Sequence, residues 1–460
     1  MKGMTLENIA KACGGKLIGR IKNKDITTSI EANAIDIDSR KIGKNDVFVA
    51  IKGERADGHS FIKSVMEQGA LCAIGEVEQE EYYGPYILVE STLKAMRDIA
   101  EYYVDVMETR VVGITGSVGK TSTKEMIASV LSVHFNVHKT AGNFNNEIGL
   151  PLTVFGIRDE HEIAILEMGI SDFGEMHRLA QIDKPDIMVI TNIGLCHLEN
   201  LKSRDGILKA KTECLDHMDK DSVVVLNADD DKLVSFDGHP EIIRAYYSAE
   251  DSSRNIHAED IDDKGLQGID FTLVVDGESV SVHEPLPGMH NISNALAAAA
   301  VAHELGLTIE EIKQGIENAS TIGGRSNFIK VKGITIIDDC YNANPVSMKA
   351  SLDVLDKAEG RKIAVLGDMG ELGDTEKELH YSVGEHCAGT SIDAVFTAGN
   401  LSKEIIKALK DHGSKAELKA FDTKEELIDY LNGYKKEGDT ILVKASHSMN
   451  FNAIVKSLTD

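Results

Sequence analysis

The sequence Val111-Val-Gly-Ile-Thr-Gly-Ser-Val-Gly-Lys-Thr-Ser-Thr-Lys-Glu125 contains a short apolar run, a glycine-rich turn and the start of a helix. Glycines let backbone N–H groups approach a polyphosphate, and a helix N-terminus adds partial positive charge. In such a loop the lysine contacts the terminal phosphates and the next hydroxyl binds Mg²⁺. We therefore predict that a nucleotide phosphate chain is bound by Gly116, Ser117, Val118, Gly119, Lys120, Thr121 and Ser122.

The match to the general phosphate-loop pattern is incomplete. That pattern has a glycine where this chain has Ile114, and Gly113 stands one residue too early. The alternative is a glycine-rich turn with Lys120 exposed on the surface. The phosphate loop is favoured because Lys120 and Thr121 fall where the helix must begin.

Length and composition predict a cytoplasmic protein of several domains. At roughly 150 residues per domain, 460 residues correspond to three domains. The 49 basic and 75 acidic residues give a net charge of −26, which argues against a nucleic-acid surface. The six cysteines include no C-x-x-C pair, so we expect reduced thiols. No signal segment and no run of about 18 apolar residues appears, so we expect no membrane span.

The alternation of apolar runs with helical periodicity predicts three α/β domains. We expect a small α/β domain over 1–106, and a central domain with a doubly wound, mostly parallel sheet over 107–320. Short strands over 242–283 interrupt that central pattern. A hinge over 320–325 then leads to a Rossmann-like α/β domain over 321–460. In doubly wound sheets, functional loops lie at the carboxyl ends of the strands.

Three charged residues of the central domain are candidates for binding the metal or the phosphates. Glu167 ends a predicted strand and is placed to bind Mg²⁺, although it could instead face water. His197 follows another strand end, and its alternative role is a structural hydrogen bond. Lys211 lies in a predicted helix, where a lysine is ordinarily a solvated surface charge.

Four polar clusters are candidates for binding ligands. Asp38, Ser39 and Arg40 suit a diphosphate or a uracil edge, or form a solvated turn. An asparagine-rich loop that follows the phosphate loop in the sequence binds a polar ligand or its own backbone. A third cluster caps a helix or contacts a purine, and a fourth follows a strand end. The residues of the last three clusters are Asn143, Asn145 and Asn146; His290, Asn291 and Asn294; and Asp339, Tyr341 and Asn344.

Taken in order, these motifs resemble the Mur ligase family of peptidoglycan synthesis. The resemblance also includes Asp57-Gly-His59, Gly324-Arg325 and Gly367-Asp-Met369, and it spans nearly the whole chain. Tyr-Asn-Ala-Asn-Pro at 341–345 is typical of the branch that adds D-alanyl-D-alanine, and the Asp-Asn-Pro-Arg of the diaminopimelate-adding branch is absent. One departure is Lys444-Ala-Ser-His447, where relatives often have arginine in place of His447.

The resemblance implies an ATP- and Mg²⁺-dependent ligase of cytoplasmic peptidoglycan precursor synthesis. Its N-terminal domain would bind a UDP-sugar, its central domain ATP, and its C-terminal domain would help bind ATP and a dipeptide. The γ-phosphoryl group would pass to the carboxylate of UDP-N-acetylmuramoyl-tripeptide, and the amine of D-alanyl-D-alanine would attack the acyl phosphate. We expect a monomer.

The resemblance also implies residue roles. Thr121 and Glu167 would bind one Mg²⁺, and His197 would help bind a second, with Lys211 present as a carbamate. The implied catalytic residues are Lys120, Glu167, His197, Lys211 and Arg325. ATP would also contact His290, Asn291, Asn294, Arg325, Asp339 and Tyr341. The implied substrate-binding residues are Asp38, Ser39, Arg40, Asn143, Asn145, Asn146 and Asn344.

Two enzyme alternatives and one binding alternative remain at this point. The enzyme alternatives are a sister ligase that adds the third amino acid and a folylpolyglutamate synthetase. The first is disfavoured by the missing Asp-Asn-Pro-Arg, and the second by the asparagine loop and the Asp-Ser-Arg segment. The binding alternative is a nucleotide-switched protein that hydrolyses ATP without forming a bond.

Overall fold

The computed structural model describes residues 1–19, 29–53, 56–321 and 323–459, which form three sheets with helices packed against them. Each sheet is mostly parallel and has antiparallel strands at one edge, which confirms the predicted three-domain α/β class. The domain boundaries at 106/107 and 320/321 stay predictions. The predicted hinge over 320–325 includes Ile322, which lies outside the described residues.

The N-terminal sheet has the strand order β1-β5-β4-β3-β2, with β1 antiparallel to β5. Its strands are β1 (Lys16–Gly19), β2 (Ile35–Asp36), β3 (Val47–Val49), β4 (Cys72–Gly75) and β5 (Pro85–Leu88). Its helices are Leu6–Ala12, Ile62–Glu67 and Thr92–Met107. The helix Ile62–Glu67 is preceded by a 3₁₀ turn, Gly58–Phe61, at whose start the Asp57 side chain accepts from the N–H of His59.

The central sheet begins with the parallel strands β6 (Arg110–Thr115), β7 (Val137–Lys139), β8 (Ile163–Glu167), β9 (Ile187–Ile190), β10 (Val223–Asn227) and β11 (Ile243–Ser248). It is extended by β12 (Ile256–Asp263), β13 (Ile269–Val275) and β14 (Glu278–Glu284). The order is β14-β13-β12-β11-β10-β9-β6-β8-β7, and the antiparallel pairs β12–β13 and β13–β14 confirm the predicted β excursion.

The helices of the central domain are Lys120–Leu131, Gly149–Val154, Glu175–Asp183, Leu198–Leu201, Arg204–Thr212, Asp231–Val234, His290–Glu304 and Ile309–Glu317. Small side chains allow two of them to pack closely. All the alanines of His290–Glu304 are buried, and this helix shares a core with Lys120–Leu131. The two helices therefore hold the phosphate loop against the sheet.

The C-terminal sheet has the order β15-β16-β20-β17-β18-β19. Its strands are β15 (Asn327–Val331), β16 (Ile334–Asp338), β17 (Arg361–Gly367), β18 (Ala394–Ala398), β19 (Glu417–Phe421) and β20 (Asp439–Lys444). Its helices are Pro345–Asp356, Glu376–Ala388, Lys403–Asp411, Lys424–Tyr434 and Asn452–Thr459, of which the last was not predicted. The last strand of the chain, β20, is parallel to both neighbours at the centre of this sheet.

The N-terminal and central domains share one apolar core. Met96 and Ile99 of the helix Thr92–Met107 belong to the same buried cluster as Leu150 and Val154 of the central domain. The buried Tyr103 hydroxyl donates to the carbonyl of Ile157 at 2.7 Å. Within the described residues, no helix is both long and apolar enough to span a membrane.

Candidate active site

The glycine-rich loop connects β6 to the helix that begins at Lys120. Gly119 is the N-cap residue and has φ +83°, a left-handed conformation that favours glycine. At Gly116 the constraint is space, because a Cβ atom would lie 1.9 Å from the Thr191 hydroxyl oxygen. The loop therefore has the close-packed geometry predicted for phosphate binding.

Asn192 and Thr191, which follow β9, hold this loop from the side. The N–H of Val118 donates to Asn192 Oδ1 at 2.9 Å, and the N–H of Ser117 donates to the Asn192 carbonyl at 3.0 Å. The Thr191 hydroxyl donates to the Val118 carbonyl at 2.7 Å. Sequence reasoning missed both residues, although their place at a strand end was a usable signal.

Lys120 and Thr121 extend from the first turn of the helix in different directions. Lys120 Nζ donates to the Gly116 carbonyl at 2.9 Å, so the ammonium group lies over the loop. The buried Thr121 hydroxyl donates to Glu167 Oε2 at 2.9 Å. The structure therefore brings together the two residues that were predicted to bind the first Mg²⁺.

The Glu167 carboxylate is buried and held on both oxygens. Asn145 Nδ2 donates to Oε1 at 2.8 Å, and Lys124 Nζ lies 3.9 Å from Oε2. The described residues contain no group of three or more His, Cys, Asp or Glu side chains that could hold a metal. One carboxylate and one hydroxyl suit Mg²⁺, which is commonly bound by one or two carboxylates together with substrate phosphates and water.

Lys124 is a buried residue of the site that sequence reasoning missed. Its ammonium group donates to the Thr140 carbonyl at 2.6 Å and lies 3.1 Å from Glu125 Oε1. The Thr140 hydroxyl in turn accepts from the N–H of Glu167 at 2.9 Å. Because Lys124 follows Lys120 by four residues, both lie on the same side of the helix, and that spacing was the available signal.

Lys211 is buried in the helix Arg204–Thr212, which contradicts the alternative of a solvated surface charge. Burial, and secondarily the positive charge of Lys120, lowers the pKa of Lys211 to about 7. Cys196 is a neighbour, and burial raises the pKa of its thiol. No salt bridge from Lys211 is found within the described chain. A buried amine of this kind exists partly in its neutral, nucleophilic form.

His197 contacts the C-terminal domain. Its Nδ1 atom lies 2.9 Å from Glu371 Oε2, and this partner was not predicted. The hydrogen bond from His197 lowers the pKa of Glu371. The alternative of a structural histidine is thus compatible with the structure, and the metal role stays a prediction.

The three asparagines of the loop differ in role. Asn145 binds Glu167, whereas Asn146 Oδ1 accepts from the N–H groups of Ile148 and Gly149 at 3.2 and 2.8 Å. Asn143 is exposed. The loop therefore binds its own backbone at one position and the Glu167 carboxylate at another. Substrate binding by all three stays a prediction.

A pocket lies between the phosphate-loop helix, the start of the helix His290–Glu304 and the segment near Arg325. Asn291 Nδ2 donates to the Pro287 carbonyl at 2.9 Å, and Asn294 Nδ2 donates to Asn291 Oδ1 at 2.8 Å. The Thr123 hydroxyl donates to Asn294 Oδ1 at 2.7 Å. Of the predicted ATP-binding residues, the pocket is lined by Ser122, His290, Asn291 and Arg325.

The predicted nucleoside-binding residues of the C-terminal domain contact one another. The Arg325 guanidinium lies 4.0 Å from the ring centre of Tyr341, and the His447 ring lies 5.6 Å from the same ring. Asp339 Oδ2 accepts from Lys444 Nζ and from the Ser351 hydroxyl, both at 2.5 Å.

Asn344 and the Asp38–Arg40 pair have local partners. Asn344 caps the helix Pro345–Asp356 by accepting from the N–H of Ser347 at 2.9 Å. Arg40 donates to both oxygens of Asp38, which lowers the pKa of that carboxyl to about 2. Ser39 lies between them, and the Arg40 side chain is 87% exposed. Substrate binding by these four residues stays a prediction.

Three family models match nearly the whole chain. The Mur ligase family catalytic domain matches residues 31–111, the Mur ligase middle domain residues 114–302, and the Mur ligase glutamate ligase domain residues 324–447. These matches fall on the three sheets in order.

Full-length relatives agree with these matches. The UDP-N-acetylmuramoyl-tripeptide–D-alanyl-D-alanine ligase of Bacillus subtilis (strain 168) is 36% identical over 99% of this chain and 98% of its own length. A crystal structure of MurF from Acinetobacter baumannii has a TM-score of 0.89, 32% identity and coverage of 99% and 98% of the two chains. That of MurF ligase from Thermotoga maritima in complex with ADP has a TM-score of 0.82, 29% identity and coverage of 93% and 97%. The chain belongs to the Mur ligase family.

Proposed function

We propose that this protein is an ATP-dependent ligase that joins D-alanyl-D-alanine to UDP-N-acetylmuramoyl-tripeptide. The observation that carries the proposal is the hydrogen bond between the Thr121 hydroxyl and the buried Glu167 carboxylate, beside the glycine-rich loop. The full-length similarity to ligases of that name supports the choice of substrates. The two alternative ligases and the nucleotide switch are not favoured, because the relatives that match this chain over nearly its full length are named as ligases of D-alanyl-D-alanine.

The reaction proceeds through an acyl phosphate. The tripeptide carboxylate attacks the γ-phosphorus of ATP and ADP leaves. The amine of D-alanyl-D-alanine then attacks the acyl carbon, loses a proton, and inorganic phosphate leaves as the amide forms. Phosphoryl transfer requires mainly positioning and charge neutralisation, which Lys120 supplies at the phosphates. Mg²⁺, held by Thr121 and Glu167, supplies further neutralisation when bound.

The C-terminal domain contributes Arg325 to the nucleotide site. Arg325 lines the pocket beside the phosphate-loop helix. Its guanidinium group lies over the face of the Tyr341 ring. A guanidinium stacked on an aromatic ring keeps its N–H donors free at the edges, where they can contact phosphate oxygens. Arg325 therefore binds the phosphates from the opposite domain.

Lys211 is the residue proposed to carry a carbamate. Its neutral amine adds to CO₂, forms an N–C bond and releases a proton, which converts a buried cation into an anionic oxygen ligand. The lowered pKa supports this step, because the neutral form is available near pH 7. Such a carbamate would bind the second Mg²⁺ together with His197.

The test measures ADP release from ATP with UDP-N-acetylmuramoyl-tripeptide, with and without D-alanyl-D-alanine, and identifies the product by mass spectrometry. Release and an amide product that require both substrates support the proposal. Activity with the shorter UDP-muramoyl-dipeptide and a single amino acid would indicate the sister ligase. Release that is indifferent to both substrates would indicate a nucleotide switch.

The site of action and the assembly state are part of the same proposal. These substrates are cytoplasmic precursors of peptidoglycan, so we place the enzyme in the cytoplasm, acting as a monomer. Size-exclusion chromatography with light scattering measures the assembly state, and a dimer would contradict it.

A further inference from the structure

Two loops from different domains meet at the active site. One follows β9 of the central domain and contains His197, and the other follows β17 of the C-terminal domain and contains Glu371. His197 Nδ1 and Glu371 Oε2 lie 2.9 Å apart, which is hydrogen-bonding distance. The His197 side chain is 24% exposed and the Glu371 side chain is 70% exposed, so only the histidine end of this contact is shielded from water.

The backbone at both residues is unusual. His197 has φ +56° and Glu371 has φ +61°, and non-glycine residues rarely adopt this left-handed conformation. Such conformations persist where the surrounding structure requires them, and they are frequent at functional sites. Here each directs its side chain toward the other domain.

Neighbouring contacts place this pair beside the phosphate loop. Cys196 Sγ donates to the Ser117 carbonyl at 3.3 Å, and Asn344 Nδ2 of the C-terminal domain lies 3.8 Å from the same sulfur. A Cβ atom on Gly373 would lie 4.0 Å from Glu199. The C-terminal loop is therefore packed along the segment that carries His197.

We propose that Glu371 is a positioning residue that holds the His197 ring from the C-terminal domain, so that the second metal site is complete only when the two domains are docked. A carboxylate that accepts the Nδ1–H fixes the tautomer in which Nε2 has the free electron pair for a metal. The inference rests on the proposed function, because it takes the metal role of His197 from it.

The experiment measures Mn²⁺ binding to the full-length protein with ADP by electron paramagnetic resonance, using Mn²⁺ as a spin probe for Mg²⁺. Glu371→Leu removes the acceptor of the Nδ1–H and keeps a side chain of similar size. Asp374→Leu is the matched control, because Asp374 is an exposed carboxylate of the same loop. His197→Ala, and the double variant that combines it with the Glu371 substitution, complete a double-mutant cycle. Circular dichroism checks the fold of each variant.

We expect Glu371→Leu to weaken one Mn²⁺ site by roughly 10–100-fold, with the other site and ADP binding unchanged. Asp374→Leu leaves both sites unchanged. In the His197→Ala background, Glu371→Leu has no further effect, because its action depends on the imidazole.

Three outcomes overturn the inference: unchanged Mn²⁺ binding in Glu371→Leu, a loss that adds to that of His197→Ala, or a wild-type protein that binds a single Mn²⁺. An additive loss would mean that the Glu371 carboxylate contacts the metal itself. None of these outcomes affects the ligase proposal, which the product assay tests separately.

Discussion

Three lysine side chains are buried in the part of the chain that the structure describes, and their surroundings differ. Lys124 lies between the Glu125 and Glu167 carboxylates, and Lys444 is paired with Asp339. Lys211 has no such pairing within the described residues, and its pKa falls to about 7. Burying an ammonium group is unfavourable unless a charge partner compensates. Two of these lysines therefore have carboxylate partners, while Lys211 is the one available for chemistry as a neutral amine.

Lys120→Ala tests the role of the phosphate-loop lysine. We expect turnover to fall at least about a hundredfold, equivalent to about 3 kcal/mol, because one preorganised charge at the phosphates is lost. The thermal unfolding temperature should stay close to that of the wild type, since Lys120 Nζ bonds only to the loop carbonyl of Gly116. Steady-state kinetics measures the loss, and near-normal activity would contradict the assignment.

Lys211→Ala tests the carbamate. We expect this variant to be inactive and to recover activity when formate or acetate is added, because a small carboxylate can occupy the space of the missing oxygen ligand. Lys209→Ala, an exposed lysine of the same helix, is the control and should be fully active. Rates are measured against carboxylate concentration. Absence of recovery would remove the support for the carbamate.

Asp183→Asn tests a buried carboxyl group outside the site. Burial raises the pKa of Asp183 well above its usual range, and both its oxygens are buried without a hydrogen-bond partner. In the unfolded chain this acid ionises above about pH 4, so rising pH favours unfolding. We expect the variant to gain stability relative to the wild type, by up to about 1.4 kcal/mol per pH unit above pH 4.

Chemical denaturation of the two proteins between pH 5 and pH 8 measures this gain. Asp219→Asn, at an exposed position, is the control and should show no pH-dependent difference. A constant difference between Asp183→Asn and the wild type across this range would show that the group is ionised in the folded protein.

At the scale of the element, the asparagine loop connects the N-terminal and central domains to Glu167, the predicted Mg²⁺ ligand. Asn145 binds the Glu167 carboxylate, and two residues later Glu147 accepts from Arg97 and Arg178, each at 2.5 Å. Arg97 belongs to the helix Thr92–Met107 of the N-terminal domain, and Arg178 to the central helix Glu175–Asp183. The loop is therefore held between the N-terminal domain and Glu167.

A double-mutant cycle with Arg97→Ala and Glu147→Gln tests this connection. We expect a coupling free energy of about 1 kcal/mol, because the two charges are in direct contact and only partly exposed. We also expect the KM for the UDP-linked substrate to rise in each single variant. Denaturation and kinetics measure the two quantities. Additive effects on stability would show that the arginine and the glutamate act independently.

At the scale of the whole molecule, the two domain interfaces differ in chemistry. The N-terminal and central domains share an apolar core, whereas the C-terminal domain contacts the site through polar pairs such as His197–Glu371 and Asn344–Cys196. Polar interfaces are typical of domains that move relative to each other. Movement of the C-terminal domain would exclude water from the acyl phosphate.

Small-angle X-ray scattering tests this movement. We expect the radius of gyration to decrease when a non-hydrolysable ATP analogue and UDP-N-acetylmuramoyl-tripeptide bind together, because both domains then contact the same phosphates. The tripeptide substrate alone is the control, and we expect it to have a smaller effect. An unchanged radius with both ligands would contradict closure.

The sequence was sufficient for features that depend on neighbouring residues. The strand, glycine-rich turn and helix around Lys120, the carboxylate at the end of β8 and the short strands that extend the central sheet were all predicted, because periodicity and turn chemistry are local. The antiparallel pairing of those short strands was not predicted. The predicted helix that contains Lys211 ends at Thr212, where the chain continues as a 3₁₀ turn.

The tertiary structure alone decided which side chains are buried and which distant residues meet. Lys444 and Asp339 are 105 positions apart, and β20 enters the centre of its sheet from the end of the chain. No local pattern distinguishes buried Lys211 from a solvated lysine, or pairs His197 with Glu371. Burial and long-range pairing depend on how the other elements pack, and that packing sets which lysines have a carboxylate partner and which domain contacts the histidine.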